Sequence, residues 1–356
     1  MQTKEKISAF QFFTMLFISR TLTTVTYLSS YTKNVRLSDM LVQPVFRITL
    51  GIIIMIPLYL ICKKHNTTDL LSLANSKFVS LGYVFIFFYF TVVTIARLDV
   101  FAGTVVFPET DVNFLLVFAI LLCSYGAYLG FEALGRSAVL SAVLVVPALI
   151  FIMLTLVNKI DLLNLTPVFY NGVTPVIKTA VDSVGQTVEY AIIAICLPKV
   201  SGNVKKGFFW WLILQTLLMA IMFFFATTVM GNFAGTQLFP FHTLASLAEF
   251  AMFDRLDAIF TSVWILCAFI KAGLLIYLQA DILHGTFKKI QRKIFIIGIG
   301  AVTIITNLFI ASEFKRFLFV DNSIFKIIIT GVTAFVIPLF ILLIRRKGRR
   351  ECENQS

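Results

Sequence analysis

Ten apolar stretches, each bounded by charged or turn-forming residues, divide the chain almost end to end. They cover about Ile7–Ser30, Pro44–Cys62, Phe78–Ala102, Val112–Phe131, Ala138–Val157, Thr174–Leu197, Phe208–Gly231, Leu256–Gln279, Ile294–Ala311 and Ile324–Ile344. At 1.5 Å per residue, runs of about twenty apolar residues match a hydrocarbon core about 30 Å thick. The pattern predicts an all-α polytopic membrane protein of ten transmembrane helices. Residues 1–344 would form a single membrane domain, and residues 345–356 a basic cytoplasmic tail. No connection is long enough to hold a core of its own.

Composition excludes the alternative that length suggests, two soluble domains. Of 356 residues 59% are hydrophobic and 13% charged, about half the charged share of an average soluble protein. Mean hydropathy is +0.92, and 38 residues are Phe. Lys4 and Lys6 precede the first run, but no short apolar core with a small-residue cleavage site follows, so Ile7 onward reads as a retained span.

Net charge is +12, and its distribution argues for orientation, not nucleic-acid binding, because the basic residues sit between apolar runs. A cytoplasmic N-terminus puts 18 of the 30 basic residues on the cytoplasmic side and 10 outside, with Arg20 and Lys271 inside spans. With ten spans the C-terminus is cytoplasmic as well. Arg97, near the external end of the third span, is expected to snorkel outward. The five cysteines have no CxxC spacing and read as small buried hydrophobes. His65, His242 and His284 are too separated for a metal site. HExxH, GxSxG, P-loop and dinucleotide fingerprints are absent, so neither catalytic residues, cofactor nor metal is assigned.

Polar groups inside apolar runs mark helix contacts or a functional pathway. The first span carries Arg20, Thr21, Thr23, Thr24, Thr26 and Tyr27. The sixth carries Asp182, Ser183, Gly185, Gln186 and Glu189, between Pro175 and Pro198. Spans one and six open the two halves of a five-plus-five division. Weak polar helices at matching positions of two halves point to a transporter-type midplane site. The expected ligand-binding set is Thr21, Thr23, Thr24, Tyr27, Asp182, Ser183, Gly185, Gln186 and Glu189. The threonines could equally serve helix packing, and Asp182 could be solvated at an external mouth. Lys271, in the middle of span eight, could stand in for a coupling cation or pair with a buried acid such as Glu189. Glu132 and Arg136, at the cytoplasmic end of span four, are an i,i+4 structural pair.

Three segments carry a family resemblance. Asp161–Phe169 with Gly172, Pro175 and the polar helix through Glu189 to Pro198 is one. Phe239–Pro240 followed by Phe253–Leu266, with Arg255, Asp257 and Trp264 in fixed order, is the most specific; Gly130–Arg136 is a third. The chain resembles the permease-like B subunits of bacterial spore germinant receptors, in the amino acid–polyamine–organocation superfamily. That resemblance implies two inverted five-helix repeats with broken helices 1 and 6. It also implies a subunit in the inner membrane of the spore that binds a small germinant, commonly an amino acid, beside a receptor A subunit and a lipoprotein C subunit. The family's pocket lies at helices one and six, which carries over to Glu189 and its neighbours. Where the family has a glycine-rich break in span one, Arg20–Ser30 contains neither Gly nor Pro. Two further readings stay open: a proton- or cation-coupled amino-acid permease, and a scaffold subunit with a degenerate pocket.

Overall fold

The computed structural model describes residues 6–26, 37–65, 70–74, 76–109, 113–166, 172–250 and 256–343. The principal helices are α1 (Ala9–Val25), α2 (Gln43–His65), α3 (Lys77–Phe101), α4 (Asn113–Leu129) and α5 (Phe131–Thr155). They continue with α6 (Thr174–Gly185), α7 (Glu189–Cys196), α8 (Val204–Met230), α9 (Asp257–Thr286), α10 (Arg292–Ala311) and α11 (Ser323–Gly331). Among the described residues, eight helical segments are long and apolar enough to cross a membrane, and α4 is a shorter apolar helix. The protein is an all-α, multi-pass membrane protein.

Boundaries differ from the sequence expectation where turn chemistry overrides hydropathy. The helix expected over Ala138–Val157 begins at Phe131. Gly130, at φ 103°, turns the chain in a single residue of left-handed backbone that a side chain would strain. Glu132 and Arg136 therefore lie in the opening turns of α5, not at the end of α4. α1 ends at Val25, with Thr26 as its C-cap. Tyr27 lies outside the described residues, as does the basic tail. At the other end, Ser8 and Gln11 form a capping box on α1. Ile7–Ser8 pairs in parallel with Val200–Ser201, tying the start of α1 to the segment after α7.

Burial is inverted relative to a soluble protein. Phe78, Phe114, Phe319 and Ile297 are among the most exposed side chains, as expected of a surface whose solvent is lipid. The span Thr174–Lys199 has the lowest hydropathy and is 78% buried, against 33% for the windows of α2, α5 and α10. A polar helix can only be kept from lipid by other helices, so the least apolar segment occupies the centre. α9 is the other central element, packing on α1, α3, α4, α5 and α10. α1 packs on α5 and α8, while α6 packs on α11 and α2.

Candidate functional site

The sixth span is not one helix. α6 ends at Gly185, α7 begins at Glu189, and Gln186 caps the first with its N–H on the Asp182 carbonyl. Ser183, Gly185 and Thr187 are weak helix formers, and their side chains or small size favour local alternatives to the helical ladder. The carbonyls around the break are taken up by neighbours. Thr330 Oγ1 donates to Gly185 O at 2.6 Å. Arg20 Nη1 donates to Gln186 O at 3.2 Å, and Nη2 to Ser183 O at 3.1 Å and Ser183 Oγ at 2.9 Å. The guanidinium of Arg20 thus sits at the C-terminal end of α6, where the helix dipole favours a cation. Arg20 is buried and reaches into the protein.

Glu189 opens α7, the end where a carboxylate is favoured. Its Oε1 accepts from Ser19 Oγ at 2.6 Å and from Lys271 Nζ at 3.0 Å. Lys271 also donates to Thr23 Oγ1 at 2.9 Å and, more distantly, to Ser19 O at 3.4 Å. The ammonium is therefore surrounded by a carboxylate, a hydroxyl and a backbone carbonyl, the oxygen set that a small alkali cation would use. Both side chains of the pair are almost fully buried, at 4% and 0% exposure.

Two small cavities flank this cluster. One, of about 20 Å³, is lined by Leu22, Thr23, Thr26, Phe90, Val93, Thr94, Arg97, Gln186, Trp264, Lys271 and Lys326. The other, of about 40 Å³, is lined by Arg20, Thr23, Thr24, Met40, Gln43, Thr179, Asp182, Ser183, Gln186, Met219 and Phe223. Thr23 and Gln186 belong to both and form the partition. About 10–15 Å³ of such space holds one water molecule, so the two chambers are closed to anything as large as an amino acid until the partition moves.

Thr23, Thr24, Asp182, Ser183 and Gln186 face these chambers, and Glu189 lies behind Lys271. Three of the expected contacts line neither chamber: Glu189, which binds Lys271, and two that serve packing. Thr21 donates to Phe17 O and accepts from Gln215 Nε2, so it serves the α1–α8 contact. Gly185 is a packing glycine. A Cβ there would come within 2.5 Å of Ile327 Cγ1 and 2.8 Å of Ile327 Cα, and only hydrogen lets α6 approach α11 so closely. Glu132 and Arg136 are exposed and joined at 2.5 Å, distant in role from the site.

Arg97 overturns its expected outward orientation. It is 8% exposed; its Nε lies 3.2 Å from Asp321 Oδ1 and its Nη2 3.3 Å from Gln186 Oε1. Lys326 completes the group by binding the carboxylate and, at 3.0 Å, the carbonyl of Asp321. Hydropathy hid these residues: Asp321 and Lys326 lie at the edge of the tenth run and Arg97 inside the third, so all three read as loop-side charges. Position is a signal for Arg97, a charge inside an apolar run, and not for Asp321 and Lys326 at a run's edge. Trp264, one of the residues that carry the family resemblance, also belongs to the site: its Nε1 donates to Thr26 Oγ1 at 2.5 Å, and its ring lies 4.3 Å from that of Phe101, closing the first chamber.

Among proteins of known description, the chain is similar to spore germination protein KB of Bacillus subtilis (strain 168), at 23% identity over 298 residues, covering 81% of this chain and 80% of that protein. The family described as spore germination protein matches residues 6–315, a range that holds Arg20, Glu189 and Lys271 and ends before Asp321. With nearly nine-tenths of the chain inside that match, this multi-pass membrane protein belongs to the spore germination protein family.

Proposed function

We propose that this chain is a membrane-embedded germinant receptor subunit that binds a small germinant such as an amino acid and triggers spore germination together with partner subunits. The observation that carries the reading is the interrupted sixth span, with its polar break facing two chambers beside the buried Glu189–Lys271 pair. Family membership supports the germination role. The ligand site comprises Thr23, Thr24, Asp182, Ser183, Gln186 and, across the partition, Glu189 with Lys271; a germinant enters by displacing Gln186 and joining the chambers. Lys271 acts as a built-in substitute for a coupling cation, because its ammonium already has the carboxylate, hydroxyl and carbonyl partners an ion would take. A site whose cation is covalently attached responds to ligand by shifting between two conformations, without an ion gradient.

The ten-span reading counts α1, of 17 residues, and α4 as spans. It makes residues 1–344 one membrane domain, with both termini cytoplasmic in the spore inner membrane or cell membrane. A two-fold repeat is supported by packing. The first helix of each half lies on the last helix of its own half and on the second helix of the other: α1 on α5 and α8, α6 on α11 and α2. A receptor A subunit and a lipoprotein C subunit are the proposed partners, since the described chain has no soluble domain with which to signal.

The test is a germination assay on spores carrying Lys271→Met or Glu189→Gln, paired with uptake measurements on the purified chain in proteoliposomes. Loss of germinant response in both variants, Na⁺-independent response in the wild type and little uptake are expected. Concentrative, gradient-driven amino-acid uptake by the wild-type chain would defeat the receptor reading in favour of the permease.

A further inference from the structure

Arg47, on the inner face of α2, is fully buried, with 0% exposure. Its Nε, Nη1 and Nη2 atoms have no hydrogen-bond partner. A buried lysine can shed its proton, but a guanidinium stays charged in any protein environment. The charge must therefore be met by an anion or remain an uncompensated buried ion, which is strongly unfavourable.

No carboxylate among the described residues hydrogen-bonds to the Arg47 guanidinium. Among the described residues the buried cations are Arg20, Arg47, Arg97, Lys271 and Lys326, and the buried acids are Asp39, Glu189 and Asp321. Glu189 is bound at Oε1 by Lys271 and Ser19, its Oε2 having no hydrogen-bond partner, and Asp321 is shared by Arg97 and Lys326. Arg20 and Arg47 repel one another, and the single Glu189 carboxylate attracts both. Further donors around Arg47 are also unmatched: Arg20 Nε, the Tyr190 hydroxyl and Trp211 Nε1. The Tyr190 hydroxyl abuts Gly51, one turn after Arg47 on the same face of α2; a Cβ on Gly51 would fall 2.2 Å from it. Gln43, one turn before Arg47, lines the 40 Å³ chamber together with Arg20.

We propose that Arg47, with Arg20 and the Tyr190 hydroxyl, forms an internal binding site for a small monovalent anion, either a halide or the carboxylate of a small ligand. Donors converge there from α1, α2 and α7, and among the described residues five buried cations face three buried acids. Of the three donor residues, Arg20 lines the 40 Å³ chamber, a space that suits a single ion or a carboxylate head and excludes bulky anions. The inference stands apart from the receptor reading, since it concerns what neutralises the guanidinium whether or not germination follows.

The test uses the purified full chain in detergent, without spores, so its failure leaves the germination role untouched. Thermal stability is followed while chloride, bromide or acetate replaces gluconate at constant ionic strength. A saturable rise in Tm is expected with the small anions, as for any ligand that binds only the folded state. Arg47→Met should weaken apparent anion affinity by at least about tenfold, the loss of one charge-assisted hydrogen-bonded contact, and Arg47→Lys should retain part of it. A halide effect without an acetate effect identifies an inorganic ion; acetate competing with bromide identifies a carboxylate site. An unsaturable salt effect, or one unchanged in Arg47→Met, means an adventitious ion only and overturns the proposal. Should Arg47→Met not fold, a bromide-derivative crystal of the wild type decides by itself: no bromide against the Arg47 guanidinium refutes the site.

Discussion

Removing either partner of the Glu189–Lys271 pair should destabilise the protein, but unequally, and removing both should be milder than removing the carboxylate alone. At 3.0 Å and an effective dielectric near 20, the attraction is about 5–6 kcal/mol. Breaking a buried pair by deleting one partner costs about 3–5 kcal/mol, whereas replacing both with neutral groups is often close to neutral. The surroundings break the symmetry. Arg20 also attracts Glu189, and Ser19 donates to it, so Lys271→Met leaves the carboxylate with two favourable partners. Glu189→Gln instead leaves Lys271 and Arg20 as like charges with no acid between them. We expect about 4–5 kcal/mol for Glu189→Gln and about 2–3 kcal/mol for Lys271→Met. The double variant should lie below Glu189→Gln, giving a coupling energy of at least about 2 kcal/mol. Equilibrium unfolding in mixed micelles with increasing SDS reads all four corners of the cycle. Additive penalties, or Lys271→Met worse than Glu189→Gln, would refute the electrostatic account of the cluster.

Three further outcomes follow from the geometry. Gly185→Ala should destabilise by about 1–3 kcal/mol through overpacking, because its Cβ meets the Ile327 backbone at 2.8–2.9 Å; unfolding in the same micelle system unchanged from wild type would show that α6 and α11 can part freely. In the Arg97–Asp321–Lys326 group, Asp321→Asn strands two buried cations while Arg97→Gln leaves Asp321 with Lys326, so the Asp321 variant should unfold at the lower denaturant concentration, and the reverse order would contradict a shared carboxylate. Reporter fusions after Lys206 and Lys293 should report cytoplasm and one after Glu109 the exterior; an exterior signal at Lys293 would overturn the ten-span count.

Much of the architecture is determined by composition and spacing alone. Apolar runs of bilayer length have one stable solution, helices that satisfy their own backbone, and so the multi-pass class, the approximate spans and the polar character of the first and sixth were legible without coordinates. The polar residues of the sixth span, Ser183 to Glu189, likewise marked the break, because weak helix formers inside a span need other helices to satisfy them. What the run of residues does not encode is which face of each helix meets which neighbour. Thr21 and Thr23 are two residues apart, about 200° around α1; one packs on Gln215 and the other meets Lys271. Gly185, expected among the ligand contacts, is instead held in close contact with Ile327. Arg47, Arg97 and Lys326 read as charges at the ends of apolar runs, where lipid headgroups or water would receive them. Tertiary packing instead turned them inward: Asp321 receives Arg97 from a distant helix and Lys326 from nearby in sequence, while Arg47 is buried with no hydrogen-bond partner, and which faces turn inward is decided only once the helices have assembled.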